Sequence, residues 1–470
     1  MLRRKYEFDK EFSSLIQLIG EMDDLIFKID KILSDEELFR LFESDLSKRY
    51  PKTNKTGRNS TPVEVVLRML ALKHLRGLSY EKTISNVNES LVLRQFCRIY
   101  FNPLPNKSTL IRWSNQICQE TLSQFNQRLT QIATQLQITQ GKKIRTDGTV
   151  VATNIHFPSD NSLLVDGVKV ISRLLSQAKG ILLRDSKNIN SSIFRNRHRT
   201  ARRISRQIDE LSKTKNQSGR QKREQAYSKL IEVTQASFRQ AQKLKKILEN
   251  SKKAPGSQVL LQKFTVFLPR IEQVIQQAYR RVLNKEKVPA EQKIVSIFEP
   301  HTDIICRGKI NLDVEFGQKV WLDEVDGGIV SNYRILKGNP HDTQQLVPSL
   351  DQHLKNFGSP PKVITTDRGV YSQSNENYAA VLGIKEVILP KGGYRNQERI
   401  KYERKRNFKK ARRWHNGIEG RINYLKRCFG LQRCFYRGEL GFSRWIGWGI
   451  IAHNLTIISR SILAKNIKLN

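Results

Sequence analysis

Residues 142–151, KKIRTDGTVV, are an isolated patch of strand formers in a chain whose first 290 residues otherwise read as helical. The apolar period drops there toward two, and β-branched residues replace the helix formers on either side. A strand needs hydrogen-bonded neighbours, and the next strand-forming stretches begin only near residue 293. The first strand must therefore pair across a long helical insertion, and that requirement limits the fold more than any other feature.

Residues 1–140 read as an all-α N-terminal domain. SDEELFRLF (34–42) opens with Ser34 as N-cap and Glu37 completing a capping box. STPVEVVLRMLALKHL (60–75) repeats the device with Thr61, Pro62 and Glu64. Between them KRYPKTNKTGRNS (48–60) is a basic connector. FNPLPNKSTLIRWSNQI (101–117) is a turn feeding a short helix from near Ser108, with Arg112 and Trp113 early in it. That order suits helix-turn-helix contact with DNA, and an ordinary helical bundle fits the segment equally well.

A helical insertion is expected over 162–290. Its stretch 181–250 holds 18 Lys and Arg against 6 Asp and Glu, with runs such as RNRHRTARRISRQ (195–207) and KLKKILENSKK (243–253). A solvated helical hairpin would tolerate such an excess, and an arm facing phosphates would require it. From there the reading is strands at IVSIF (294–298), KVWLDEV (319–325) and GIVSNYRIL (328–336), the last two joined by a DGG turn. A helix over 338–358, a short strand in KVITTDRG (362–369), a helix over 374–383, a strand in KEVIL (385–389) and a helix over 412–430 follow. With the insertion set aside, this is a mixed α/β order of the kind a ribonuclease H-like sheet requires. It assigns 141–161 and 291–440 to one domain and 441–470 to a packed C-terminal helix.

The 470 residues carry 83 Lys and Arg against 44 Asp and Glu, a formal net charge of +39. Such an excess repels itself unless a polyanion neutralises it, and nucleic acid is the first candidate. An anionic membrane surface is the weaker one. The long apolar stretch 441–464 contains Arg444, His453, Asn454 and Arg460, which argues against a bilayer span. MLRRKYEFDKEF lacks an apolar signal core, so secretion is not expected. The five cysteines (Cys97, Cys118, Cys306, Cys428, Cys434) form no CxxC pair and read as reduced thiols.

In so basic a chain the informative residues are carboxylates placed where hard divalent ions could be held, because cutting phosphodiesters commonly uses two such ions about 4 Å apart. Asp147 lies inside the first strand, Asp367 ends VITTD, and Glu419 lies on the last helix of the module with His415 and Lys426 on its face. Each has a plain alternative. Asp147 before Gly148 suits a turn, Asp367 could cap one, and Glu419 could be a surface residue beside Lys and Arg. Asp323, Glu324 and Asp326 are rivals expected to be solvated at a hairpin tip, and Glu398 and Glu403 fall in a charged segment expected to be loop.

These segments together resemble the bacterial insertion-sequence transposases of the DDE class, of the ISNCY-type group. The resemblance rests on TPVEVVLRMLALKHLRGLSYEKT (61–83), IRTDGTVVATNIHFPSDNSLLVDGVKV (144–170), KVITTDRGVYS (362–372) and WHNGIEGRINYLKRCFGL (414–431). It implies a ribonuclease H-like catalytic domain with Asp147, Asp367 and Glu419 holding two Mg²⁺ or Mn²⁺ ions. A family signature Y-x2-R-x3-E-x6-K is met by Glu419 and Lys426, while Arg412 and His415 stand in the Tyr and Arg slots. Lys426, His415, Arg412, Arg112, Arg368 and Lys391 are the candidate DNA contacts. The resemblance further implies an N-terminal domain that binds transposon ends, double-stranded DNA partners (terminal inverted repeats and target), a homodimer and a cytoplasmic, nucleoid-associated location. A nuclease without strand transfer and an inactive DNA-binding protein are the rival readings.

Overall fold

Lys143–Ala152 forms β1, and every strand around it comes from beyond residue 300. The computed structural model describes residues 1–20, 22–50, 52–185, 191–214, 216–250, 256–309 and 312–467. The basic run 243–253 therefore lies outside the described residues from position 251 onward. The chain divides into two compact units, Met1–Asn154 with Gly317–Asn470, and Ile155–Phe316.

In the first unit, helices from Lys10–Ile19 to Gln119–Gln135 precede a mixed sheet with helices after its strands. β1 pairs antiparallel with β3 (Leu312–Val325), and β3 pairs with β4 (Val330–Leu336). On its other side β1 pairs parallel with β5 (Val363–Thr365), which pairs parallel with β6 (Glu386–Ile388). β2 (Asp303–Lys309) lies in the second unit, which also holds the first residues of β3. One apolar core joins the N-terminal helices, the helix Leu346–Phe357 and the last helix Gly438–Ala464, with Phe42, Leu129, Ile144, Trp321, Leu350 and Trp448 among its members. A second cluster (Val151, Val320, Leu322, Leu425, Phe429) lies under the helix Arg406–Cys428. The unit Ile155–Phe316 has its own core, where helices Asp160–Asp185, His198–Leu211, Gln217–Asn250 and Ser257–Ala278 meet around Leu164, Ile171, Leu230 and Phe264.

Several local expectations change. Residues 294–298 form no strand; the strand of that region is β2, at 303–309. The cap expected at Ser34 is Asp35, whose Oδ1 accepts from the Leu38 amide at 3.0 Å, because the Ser34 hydroxyl is engaged with the Asp30 carbonyl. Pro62, with no side-chain acceptor, rather than Thr61 precedes the helix Val63–Leu75. Glu398 and Glu403 lie on a helix, Gln397–Arg404, instead of a loop. The stretch 441–464 is a largely buried helix, and among the described residues no helix is long and apolar enough to cross a membrane.

The β3–β4 turn keeps its predicted form because two glycines take positive φ, Gly327 at 80° and Gly328 at 79°. Asp326 ties this turn to the start of β1 by accepting from the amides of Gln140 (2.9 Å) and Lys143 (3.0 Å). A Cβ on Gly327 would meet the Ile138 carbonyl oxygen. Gly327→Ala should lower stability by more than the about 1–2 kcal/mol of left-handed backbone alone, read as a drop in Tm.

Candidate active site

The parity of β1 decides what Asp147 faces. Arg145 donates to the Trp414 carbonyl, and Val151 belongs to the cluster holding Leu425 and Phe429. Both partners lie on the helix Arg406–Cys428 or just past it, so Asp147, between Arg145 and Val151 at a spacing of two, faces the same helix. Asp147 stands opposite Leu322 of β3 and also accepts from the Gly148 amide at 2.7 Å.

Asp367 reaches this edge from β5. The parallel register sets Arg145 beside Thr365 as its last pair, and Asp147 and Asp367 each follow two residues beyond it. Asp367 starts the short turn Arg368–Val370 and accepts from the Gly369 amide at 3.1 Å. Although the residue is exposed, surrounding protein pushes its carboxyl pKa up, and the like charge of Asp342 adds to the rise. Asp342 is held by Lys319 of β3, and its Oδ2 lies 3.2 Å from where a Gly369 Cβ would sit. Asp342 is the acidic neighbour that sequence reasoning missed, because GNPHDTQQ reads only as the start of a helix.

Glu419 is exposed on the third element. Its helix runs in the direction of β1: Phe408 clusters with Val363 and Ile388, Trp414 and Gly417 meet Arg145, and Leu425 clusters with Val151. Glu419 falls between these contacts, as Asp147 falls between Arg145 and Val151. Asp147 lies on β1, Asp367 just past β5 and Glu419 on the helix packed against both strands. Among the described residues, however, no three His, Cys, Asp or Glu side chains are grouped closely enough to hold a metal. The donor set suits a hard divalent ion in kind, all carboxylate oxygen, and a cation would relieve the repulsion that raises Asp367.

Buried charge fixes the helix in place. Glu324, 1% exposed, receives Arg145 through Nη2 (2.8 Å) and Nε (2.9 Å), and Arg421 through Nε (3.1 Å). The Arg145 guanidinium also lies 4.8 Å from the Trp414 ring centre, and a Cβ on Gly417 would collide with it. Asp323 and Glu324 are therefore not solvated at a hairpin tip, as expected from sequence; both are buried because β3 runs through the sheet centre.

The candidate DNA contacts divide. Arg368 and Arg412 are exposed near Asp367 and Glu419 in sequence, and Lys426 is half-buried. Lys391 is half-buried, its ammonium 5.8 Å from the Tyr371 ring centre. Arg112 lies far along the chain on the helix Lys107–Ser114, at a groove of about 650 Å³ with Arg49, Arg58, Tyr50 and Trp113. His415 does not suit phosphate contact. It is buried against the Thr365 backbone, and burial together with the Arg145 charge brings its pKa down to about 4, so the imidazole is neutral. Glu403 is likewise committed, to Arg395 and Arg399.

Residues 13–116 match the family model described as Transposase domain (DUF772), and residues 324–455 match the Transposase DDE domain. The second match contains Asp367 and Glu419; β1 with Asp147 lies outside both. No curated protein and no solved structure gives a match.

Glu324→Gln should destabilise the fold by about 3–5 kcal/mol in denaturant unfolding, since it leaves two guanidiniums without their carboxylate. Asp367 carries a pH signature. Its folded pKa exceeds the ordinary value of 3.8, so its contribution is full below that value and is lost as pH rises through the folded pKa. Asp367→Asn should therefore raise Tm at pH 7, with the gain shrinking as pH falls through the folded pKa and absent below 3.8.

Proposed function

Because this chain belongs to the insertion-sequence DDE transposases, we propose that it cuts DNA at an element's ends and joins the freed ends to new DNA. The observation that supports the site assignment is the parallel pairing of β1 with β5, whose last paired residues, Arg145 and Thr365, each lie two positions before Asp147 and Asp367, with Glu419 on the helix covering β1. In this reading the sheet and its covering helix form a ribonuclease H-like catalytic domain. Asp147, Asp367 and Glu419 would hold two Mg²⁺ ions, or Mn²⁺. The chemistry such ions supply is activation of an attacking oxygen and stabilisation of a leaving one.

The chain's own groups do the positioning. Asp147 is set by its pairing opposite Leu322 of β3, and Asp367 by its capped turn. Arg368, Arg412, Lys426 and Lys391 supply positive charge for the phosphate backbone beside the carboxylates, a sequence-independent contact. Neutral His415 packs the helix rather than touching DNA. Hydrolysis that frees a 3′-hydroxyl, and attack by that hydroxyl on target DNA, are both in-line displacements at phosphorus. One carboxylate site therefore serves both. The groove at Arg49, Arg58 and Arg112 is suited to terminal inverted repeats, and pairing two ends calls for a homodimer. A cytoplasmic site at the nucleoid follows from that role.

Asp147→Asn should abolish Mg²⁺-dependent nicking and strand transfer on duplex DNA carrying the element's ends, with DNA affinity nearly unchanged. Wild-type cleavage by this variant would remove Asp147 from the site. Nicking without joined products in the parent protein would leave a nuclease.

A further inference from the structure

Residues 155–316 hold 32 Lys and Arg against 15 Asp and Glu. The charge is arranged, not merely abundant. In the helix His198–Leu211, Ala201, Ile204 and Ile208 are buried, while Arg199, Arg202, Arg203 and Arg206 are exposed. Spacings of three, four and seven put these arginines on the outward side of two turns, a span of about 10 Å. None of the four takes part in an ion pair among the described residues.

Helix stability does not account for the pattern. A helix favours acidic residues in its first turn and basic ones in its last, and this helix has neither. It starts with arginines and ends with Asp209 and Glu210. The neighbouring helix Asp160–Asp185 adds to the crowding. Lys169 and Arg173 on it, together with Arg202, all act on His198 and help to hold its pKa low. Like charges have thus been brought together from two elements, and the carboxylate that opposes them at His198, Asp166, is engaged with His156.

We propose that this face, centred on Arg199, Arg202, Arg203 and Arg206, binds the phosphate backbone of duplex DNA without reading its sequence. It rests on DNA being the partner in the proposed function, and it gives the helical unit a task separate from the carboxylate site. An anionic membrane is the less suited partner, because the apolar side of the helix is buried in the unit's own core and has nothing to insert.

The test uses the full chain, a duplex of arbitrary sequence and fluorescence anisotropy over a series of salt concentrations. Each phosphate that the protein ceases to neutralise takes about 0.9 off the slope of log K against log salt. R199Q/R202Q/R203Q/R206Q should therefore lower that slope by about 3–4 and weaken binding more than tenfold at about 0.1 M salt. The matching lysine variant, which keeps the charge, should retain most of the slope. An unchanged slope in a glutamine variant with the parent's Tm would overturn the proposal, as would parent protein held more tightly by phosphatidylserine vesicles than by DNA at equal salt. The outcome is separable from the catalytic reading: Asp147→Asn should keep the full slope, and absence of nicking in the parent would refute catalysis without altering the slope.

Discussion

A single buried carboxylate, Glu324, holds together the elements that carry the candidate site. Arg145 comes to it from β1 and Arg421 from the helix that bears Glu419. Two guanidiniums on one carboxylate leave an excess positive charge in a buried place, which neutral acceptors must absorb. Arg145 uses the Trp414 carbonyl and ring face, and Arg421 the imidazole of His453 at 3.1 Å. Burial and the Arg421 charge bring the His453 pKa down to about 3, so the imidazole is neutral and one ring nitrogen can accept. The tautomer follows from the network, with Nδ1 donating to Asn454 Oδ1 at 3.0 Å. Asn454 in turn bonds Asn126 of the helix Gln119–Gln135 and the Val330 backbone. Polar contacts thus run without a break from β1 to the N-terminal helices, which explains why a helical N-terminal region and a sheet share one core.

That arrangement clarifies why a charged residue is tolerated within β1. Asp147 lies on the half-buried edge of a strand whose flanking residues, Arg145 and Val151, fix the covering helix by an ion network and by packing. The acidic neighbours respond differently to their settings. Glu324 is neutralised by arginines, whereas Asp367 has Asp342 beside it and a raised pKa.

Much of this was legible in the sequence where local chemistry decides structure. The β-branched run gave β1, the DGG turn gave the β3–β4 hairpin, and Gly358 and Gly430 marked helix ends through their positive φ. Local chemistry failed where tertiary partners decide. Glu324 sits close to a turn signal and looked solvated, but its two arginines come from residues 145 and 421. His415 shares a helix side with Glu419, yet a small rotation about the axis separates a buried imidazole from an exposed carboxylate. Asp342 could not be associated with Asp367 without knowing that Lys319 and Gly369 bring them together.

The central claim is that Asp147, Asp367 and Glu419 surround one divalent-metal site. Iron(II) substituted for Mg²⁺ and supplied with hydrogen peroxide and ascorbate generates hydroxyl radicals that cut the nearest backbone, and mass spectrometry locates the cuts. Fragments ending near residues 147, 367 and 419 together, suppressed by excess Mg²⁺, are the predicted result. Cuts confined to other segments, or cuts near these residues that Mg²⁺ does not suppress, would contradict it.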